Sequence, residues 1–340
     1  MDSFTAALNS ESHDMTPVWF MRQAGRYLPG YTALRKKHSI KEICSSKDLT
    51  VEVTDEPISL LGVDAAIIFS DITIPLEAMG FKVDFKEGIG PIISRSFQEN
   101  RKLEGVHGFE RSAYSYATFD AISMFKEKFP AMPLIGFSGG PLTVASYVAR
   151  GKADRDLSLT RSLIYQGDRD FQALMKMILE MVILNCREQV RYGVDAIQIF
   201  DSWAGFLPSE EFKKYSSVYL QEIVSELSGI TKVIYFSTQT TGMLGELDGI
   251  GFDFLSLDWR TDLASASRLL KPETGLQGNL DPLMVAQSPK KATSEAQRIA
   301  ASMKGKDNYI FNLGHGALPS TDPGTLGEIV RTVHKLGEEK

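Results

Sequence analysis

The sequence predicts an α/β fold, a single-domain (β/α)8 barrel with an added hairpin and extra helices. Three observations predict it. Eight short apolar runs bounded by turn residues recur along the 340 residues. Segments with apolar residues at three- and four-residue spacing lie between them. Each run is followed at once by a polar or glycine-bearing segment.

The runs, in order, are 18–21 (VWFM, the weakest), 65–69 (AAIIF), 133–137 (PLIGF), 196–200 (AIQIF), 233–236 (VIYF), 254–257 (FLSL), 275–276 with its neighbours, and 309–313 (YIFNL). Strands this continuously apolar fit a parallel sheet covered on both faces. Eight of them with helical crossovers fit a closed TIM barrel better than an open doubly wound sheet. Most connections hold one helix. Two are longer. In 71–132 the stretch FKVDFKEGIGPII (81–93) predicts a hairpin before a helix near 109–129. The segment 139–195 has room for more than one helix, with Leu163, Phe171, Leu174, Met177, Ile178, Met181 and Val182 marking helical period within 154–192. Residues 1–340 read as one catalytic domain, and the Lys/Glu-rich end after Val333 reads as a frayed helix terminus.

Composition excludes several classes. With 43% hydrophobic and 24% charged residues, disorder, collagen and coiled coil are ruled out. A net charge of -6 argues against nucleic-acid or anionic-membrane partners, so an anionic ligand must be met by a local cationic cluster. Cys44 and Cys186 are the two cysteines and form no CxxC or HxC pattern, which suggests neither a disulfide framework nor a thiolate metal site. No apolar stretch approaches the ~20 residues of a membrane span, and the start of the chain has no basic-then-apolar signal. A cytoplasmic protein is expected.

In a barrel, chemistry collects in the loops after the strands. Those segments are MRQAGRYLPGY (21–31), SDITIP (70–75), SGGP (138–141), DSWAGF (201–206), STQTTG (237–242), DWR (258–260), QGNLDP (277–282) and GHGALPSTDP (314–323). Arg22 and Arg26, with Gln23 between and Arg35 beyond, form either an anion clamp or a solvated cationic face. Asp71 ends an apolar run, where its charge could stabilise a developing cation or cap a helix. The glycines of 138–141 read more readily as a turn than as a ligand loop, and no GxxxxGK[ST] is present. Tyr147 is a hydrogen-bond donor or core. Ser202 lacks a hydrolase elbow and is a donor at most. Asp258, Trp259 and Arg260 read as a local ion pair with a packed indole. His13, His38, His107 and His334 read as surface residues, whereas Gly314 and Gly316 would place His315 at the rim.

MRQAGRYLPGY, with TPVWF (16–20) before it, resembles the N-terminal signature of the uroporphyrinogen decarboxylase family. FSDI (69–72), GFSGGPLT (136–143), LDWR (257–260), QGNLDP (277–282) and NLGHG (312–316) resemble that family's blocks in its order. The resemblance implies a cofactor-free, metal-free barrel enzyme of haem biosynthesis, usually a homodimer. It would convert the four acetate side chains of uroporphyrinogen III to methyls, giving coproporphyrinogen III and four CO2. By the same resemblance, Arg22, Gln23 and Arg26 match binders of substrate carboxylates, and Asp71 the carboxylate facing the pyrrole N–H groups. Tyr147 and His315 match active-site residues, Ser202 a substrate contact, and Tyr31 and Arg35 flanking loop positions. Asp71, Tyr147, His315 and Arg22 would carry catalysis. STQTTG is more polar than the corresponding stretch of relatives, and Trp203 stands where some have histidine. The alternatives are a cobalamin-dependent methyltransferase of the same superfamily, whose zinc needs His and Cys ligands, and a non-catalytic tetrapyrrole-binding protein.

Overall fold

The computed structural model describes residues 2–338; the very end of the predicted frayed terminus, Glu339 and Lys340, lies outside the described residues. In chain order the strands are β1 (Ala66–Ile67), β2 (Lys82–Lys86), β3 (Gly90–Ser94), β4 (Leu134–Gly139), β5 (Ala196–Phe200), β6 (Lys232–Phe236), β7 (Phe254–Ser256), β8 (Gly275–Leu280) and β9 (Tyr309–Leu313). Seven of them form one parallel sheet in the order β1-β4-β5-β6-β7-β8-β9, and β2 and β3 pair as the predicted antiparallel hairpin. Sequential parallel order with helices between neighbours is what curls such a sheet toward closure.

The first apolar run is not a regular strand. Val18 makes an isolated parallel bridge to Phe311 of β9, with Trp19 N–H donating to Phe311 O (3.3 Å) and Phe311 N–H to Pro17 O (2.9 Å). On its other side Asp64 N–H donates to Val18 O (2.8 Å). Further pairing with β1 is replaced by a side chain: the Gln23 amide accepts from Phe20 N–H (3.1 Å) and donates to Ala65 O (3.1 Å). Asp64 Oδ2 accepts from Val18 N–H (2.7 Å) and lies 2.8 Å from His334 Nε2, so the last helix is tied to this seam. His334 thus has a partner that the sequence reading did not give it, though it is partly exposed, as are His13 and His38; His107 is exposed.

Other boundaries move for identifiable reasons. The seventh run extends through Leu280, which puts Gln277, Gly278 and Asn279 in the barrel wall instead of a loop. Inside the wall Gln277 accepts from Trp19 Nε1 (2.9 Å) and donates to Gln198 Oε1 (3.0 Å) and Ser256 Oγ (2.9 Å), so these buried polar groups satisfy one another. The helix expected near 109–129 spans Thr118–Lys128, after a single turn at Arg111–Ala113. The period within 154–192 resolves into helices Ser158–Tyr165 and Arg169–Tyr192, because Asp168 caps the second by accepting from Phe171 N–H (2.9 Å).

Two cores result. One lies between the sheet and its helices. The other is the barrel interior, where Trp19, Met21, Ile67, Ile135, Ile234, Phe254 and Ile310 pack with Phe4, Ala7 and Leu8 of the helix Ser3–Leu8. Ala65, Ala196 and Phe254 stand where strands begin, so this helix stoppers that end and leaves the opposite end as the mouth.

Candidate active site

The loop after the first run reaches the mouth because both its flanks are pinned. Met21 N–H donates to Asn312 Oδ1 (2.9 Å), and Ala317 N–H donates to Met21 O (2.9 Å). Arg22 itself adopts a left-handed backbone (φ 57°), uncommon for a non-glycine residue, and its aliphatic stem lies over Gly316. A Cβ at position 316 would come within 2.7 Å of Arg22 Cγ, so glycine there is what lets the arginine lie across the loop.

His315 sits beside that stem. Its Nδ1 accepts from Gly316 N–H (2.7 Å), which assigns the ring proton of the neutral form to Nε2, and its ring meets Phe236 edge-on at 5.7 Å. Burial first, then Arg22, push its pKa down from 6.5 to about 4; Asp258 opposes and Arg260 adds to the fall. At neutral pH it is a neutral Nε2–H donor. Since the unfolded chain binds the proton more tightly, His315 weakens the fold as pH drops from 6.5 towards 4. Titration of the His315 imidazole by NMR is expected to show a midpoint near 4; a midpoint at or above 6 would contradict this environment.

Asp71 stands in the loop after β1. Its Oδ1 accepts from Thr73 N–H (2.9 Å) and Thr73 Oγ1 (2.6 Å), so it makes a local turn as well as facing the site. Desolvation holds its carboxyl above the ordinary range, against the Thr73 donors and Arg22. Tyr147, on the helix Pro141–Arg150, is pushed up to about 12, first by burial and then by Asp71, with Arg22 and Arg155 pulling it down. Arg22 thus lies within electrostatic reach of Asp71, Tyr147 and His315, and the four expected catalytic residues share one mouth.

The remaining predicted residues divide. Arg26 is exposed on the same loop. Tyr31 is buried against Phe69 (ring centroids 5.5 Å); burial raises its phenol and Arg35 opposes this. Arg35 also bonds His38 O. Ser202 lies after β5, its carbonyl accepting from Thr238 Oγ1 (2.7 Å). Gln23 is not brought to the mouth: it is 0% exposed, and both ends of its amide serve the backbone seam. Gln23→Ala is expected to cost about 1–3 kcal/mol of stability, measured by denaturant unfolding, by orphaning two buried backbone groups. A raised KM with unchanged stability would instead make it a ligand contact.

Three neighbours of these residues were not assigned to the site from the sequence. Trp203 packs against Tyr147, ring centroids 4.9 Å apart and tilted by 34°. Arg155, exposed in the turn after Tyr147's helix, adds a cation there. Arg260 pairs with Asp258 (2.6 Å) and covers Trp259 (4.2 Å), the local arrangement expected, yet also reaches His315 electrostatically. The polar loop 237–242 is spent on stitching neighbours: Gly205 N–H donates to Ser237 Oγ (3.2 Å), Gln239 N–H to Asp258 Oδ2 (2.7 Å), and Thr241 bonds Thr261 (2.7 Å). Cys44 and Cys186 are buried and free, and among the described residues no three His, Cys, Asp or Glu side chains gather to hold a metal.

The family model described as uroporphyrinogen decarboxylase (URO-D) matches residues 1–336. The chain is 44% identical to the uroporphyrinogen decarboxylase of Thermoplasma acidophilum over 336 residues, 99% of each chain. It is also 44% identical to that of Picrophilus torridus, over 99% of this chain and 100% of that one. Among solved structures, a methyltransferase from Methanosarcina mazei superposes with a TM-score of 0.80 over 98% of each chain at 19% identity, a likeness of fold alone. Family model, near-full-length relatives and the motifs at the barrel mouth agree: the chain belongs to the uroporphyrinogen decarboxylase family.

Proposed function

We propose that this protein is a carboxy-lyase that converts the four acetate side chains of uroporphyrinogen III to methyls, using no cofactor or metal, within one barrel domain. The observation that carries the reading is Asp71, a carboxylate set into the half-buried mouth within reach of Arg22 and Tyr147.

Losing CO2 from an acetate arm leaves an electron pair that needs a sink. The substrate can supply it. A proton added to the pyrrole carbon beside the ring nitrogen makes an iminium-like cation. The arm's C–C bond then breaks, CO2 leaves, and its electron pair neutralises the cation as an exocyclic methylene. A proton taken up by that methylene gives the methyl group, and loss of the ring proton restores the pyrrole. Asp71 would oppose the transient positive charge and accept hydrogen bonds from the pyrrole N–H groups. Pyrrole donors and the cation favour its ionised form, offsetting the desolvation that raises it.

A substrate with eight carboxylates meets a chain of charge -6 through the cations of the rim, Arg22, Arg26 and Arg155. Tyr147, with its phenol near 12, and neutral His315 serve as hydrogen-bond donors that orient the substrate and not as strong acids. Family membership supports a homodimer, and two free buried cysteines support a reducing compartment, the cytoplasm. No helix among the described residues is long and apolar enough to cross a membrane.

Substrate labelled in the acetate carboxyls tests the reading. Four equivalents of labelled CO2 per macrocycle are expected without additives. Tight binding without release would make the protein a tetrapyrrole binder, and neither binding nor release would overturn the proposal.

A further inference from the structure

Behind Asp71 the barrel wall is not continuous. Ile68 N–H still donates to Ile135 O (3.0 Å), but Phe69 N–H turns to Thr54 Oγ1 (3.1 Å), so the chain after β1 parts from β4. Gln189, on the helix Arg169–Tyr192, plugs the gap. Its amide accepts from Phe137 N–H and donates to Phe137 O, both at 2.8 Å, taking the place of a strand partner. Gly136 makes room, since a Cβ there would lie 2.6 Å from Gln189 Oε1.

Past that plug lies a cavity of about 10 Å3, lined by Ser70, Asp71, Phe137, Ser138, Asn185 and Gln189 among others. That is room for one water. Ser138 and Asn185 are each 2% exposed, and Ser138 Oγ and Asn185 Oδ1 find no nitrogen or oxygen partner. Only a weak thiol neighbour, Cys186, stands beside Ser138. Two orphaned polar atoms on a cavity that Asp71 also lines are unusual, because buried polar groups are nearly always paired. The donor count closes with one molecule: a water accepts from the Ser138 hydroxyl and donates its two protons to Asn185 Oδ1 and the Asp71 carboxylate. Thr73 already supplies Asp71 Oδ1.

We propose that this cavity is a built water site, and that Ser138 and Asn185 are positioning residues that hold the Asp71 carboxylate through the bound water. The kinetic half of the proposal rests on the decarboxylase reading; the water site does not. A hydrogen bond donated to a carboxylate favours its charged form. The other groups facing Asp71 are Thr73 of its own loop, Arg22 of the loop after the first run, Tyr147 of the helix Pro141–Arg150 and Cys44 of the helix Ile40–Ser45, and none is altered by changes at 138 or 185.

Two measurements test it. A crystal structure of the intact protein is expected to show water density within hydrogen-bond distance of Ser138, Asn185 and Asp71; a cavity without density overturns the site. Ser138→Ala and Asn185→Leu are expected to move the acid limb of the kcat profile up by roughly one pH unit, the scale of one hydrogen bond to a charge, while KM stays within about twofold. An unmoved limb in folded Ser138→Ala, the milder change should Asn185→Leu fail to fold, overturns the positioning role. If the wild type does not turn over uroporphyrinogen, the functional reading fails, and the density alone decides the water site.

Discussion

Asp71→Asn is expected to fold like the parent and to lose about a hundredfold or more in kcat, the scale of removing one preorganised electrostatic stabiliser. The amide keeps the shape, and its Oδ1 can still accept both Thr73 hydrogen bonds. What it lacks is the negative charge that, in the proposed reaction, would face the developing cation. Stability sharpens the test. Burial raises the Asp71 carboxyl, so its ionisation in the folded state works against the fold as pH rises through the elevated value. The neutral amide is therefore expected to unfold no earlier than wild type at pH 7. A variant with activity within a few-fold of wild type would remove the electrostatic role; one that unfolds would show that Asp71 is chiefly a turn residue.

Arg22→Asn is expected to raise KM tenfold or more and to lower kcat as well, because in the proposed reaction one guanidinium would serve substrate carboxylate and active-site field together. Asparagine is the informative replacement, since it tolerates the left-handed backbone at this position better than alanine. Arg22 depresses both Asp71 and His315, so its removal is expected to raise both pKa values and move the acid limb of kcat upwards. Unchanged KM and kcat would return Arg22 to the class of solvated surface charge.

The barrel was legible in the sequence because strands covered on both faces must be apolar at nearly every position, leaving runs that no surface strand leaves. The run at 18–21 was faint for a physical reason: this segment pairs with β9 and completes its link to β1 through the Gln23 amide, so side chains do work that backbone does elsewhere. Such substitution leaves no periodic trace, and Gln23 beside two arginines looked like a ligand contact. The run at 275–276 was cut short because Gln277 and Asn279 are polar, yet they face partners inside the wall. Asp71 and His315 were legible as polar residues ending apolar runs. Trp203 and Arg155 were not, since each joins the site only where loops from different strands meet.

The most direct test of the central claim is anaerobic incubation of metal-stripped protein with uroporphyrinogen III alone, followed by chromatography of the oxidised porphyrins by carboxylate number. The account predicts successive seven-, six- and five-carboxylate species giving way to coproporphyrin, in wild type and not in Asp71→Asn. Uroporphyrin left untouched by folded wild-type protein would contradict it.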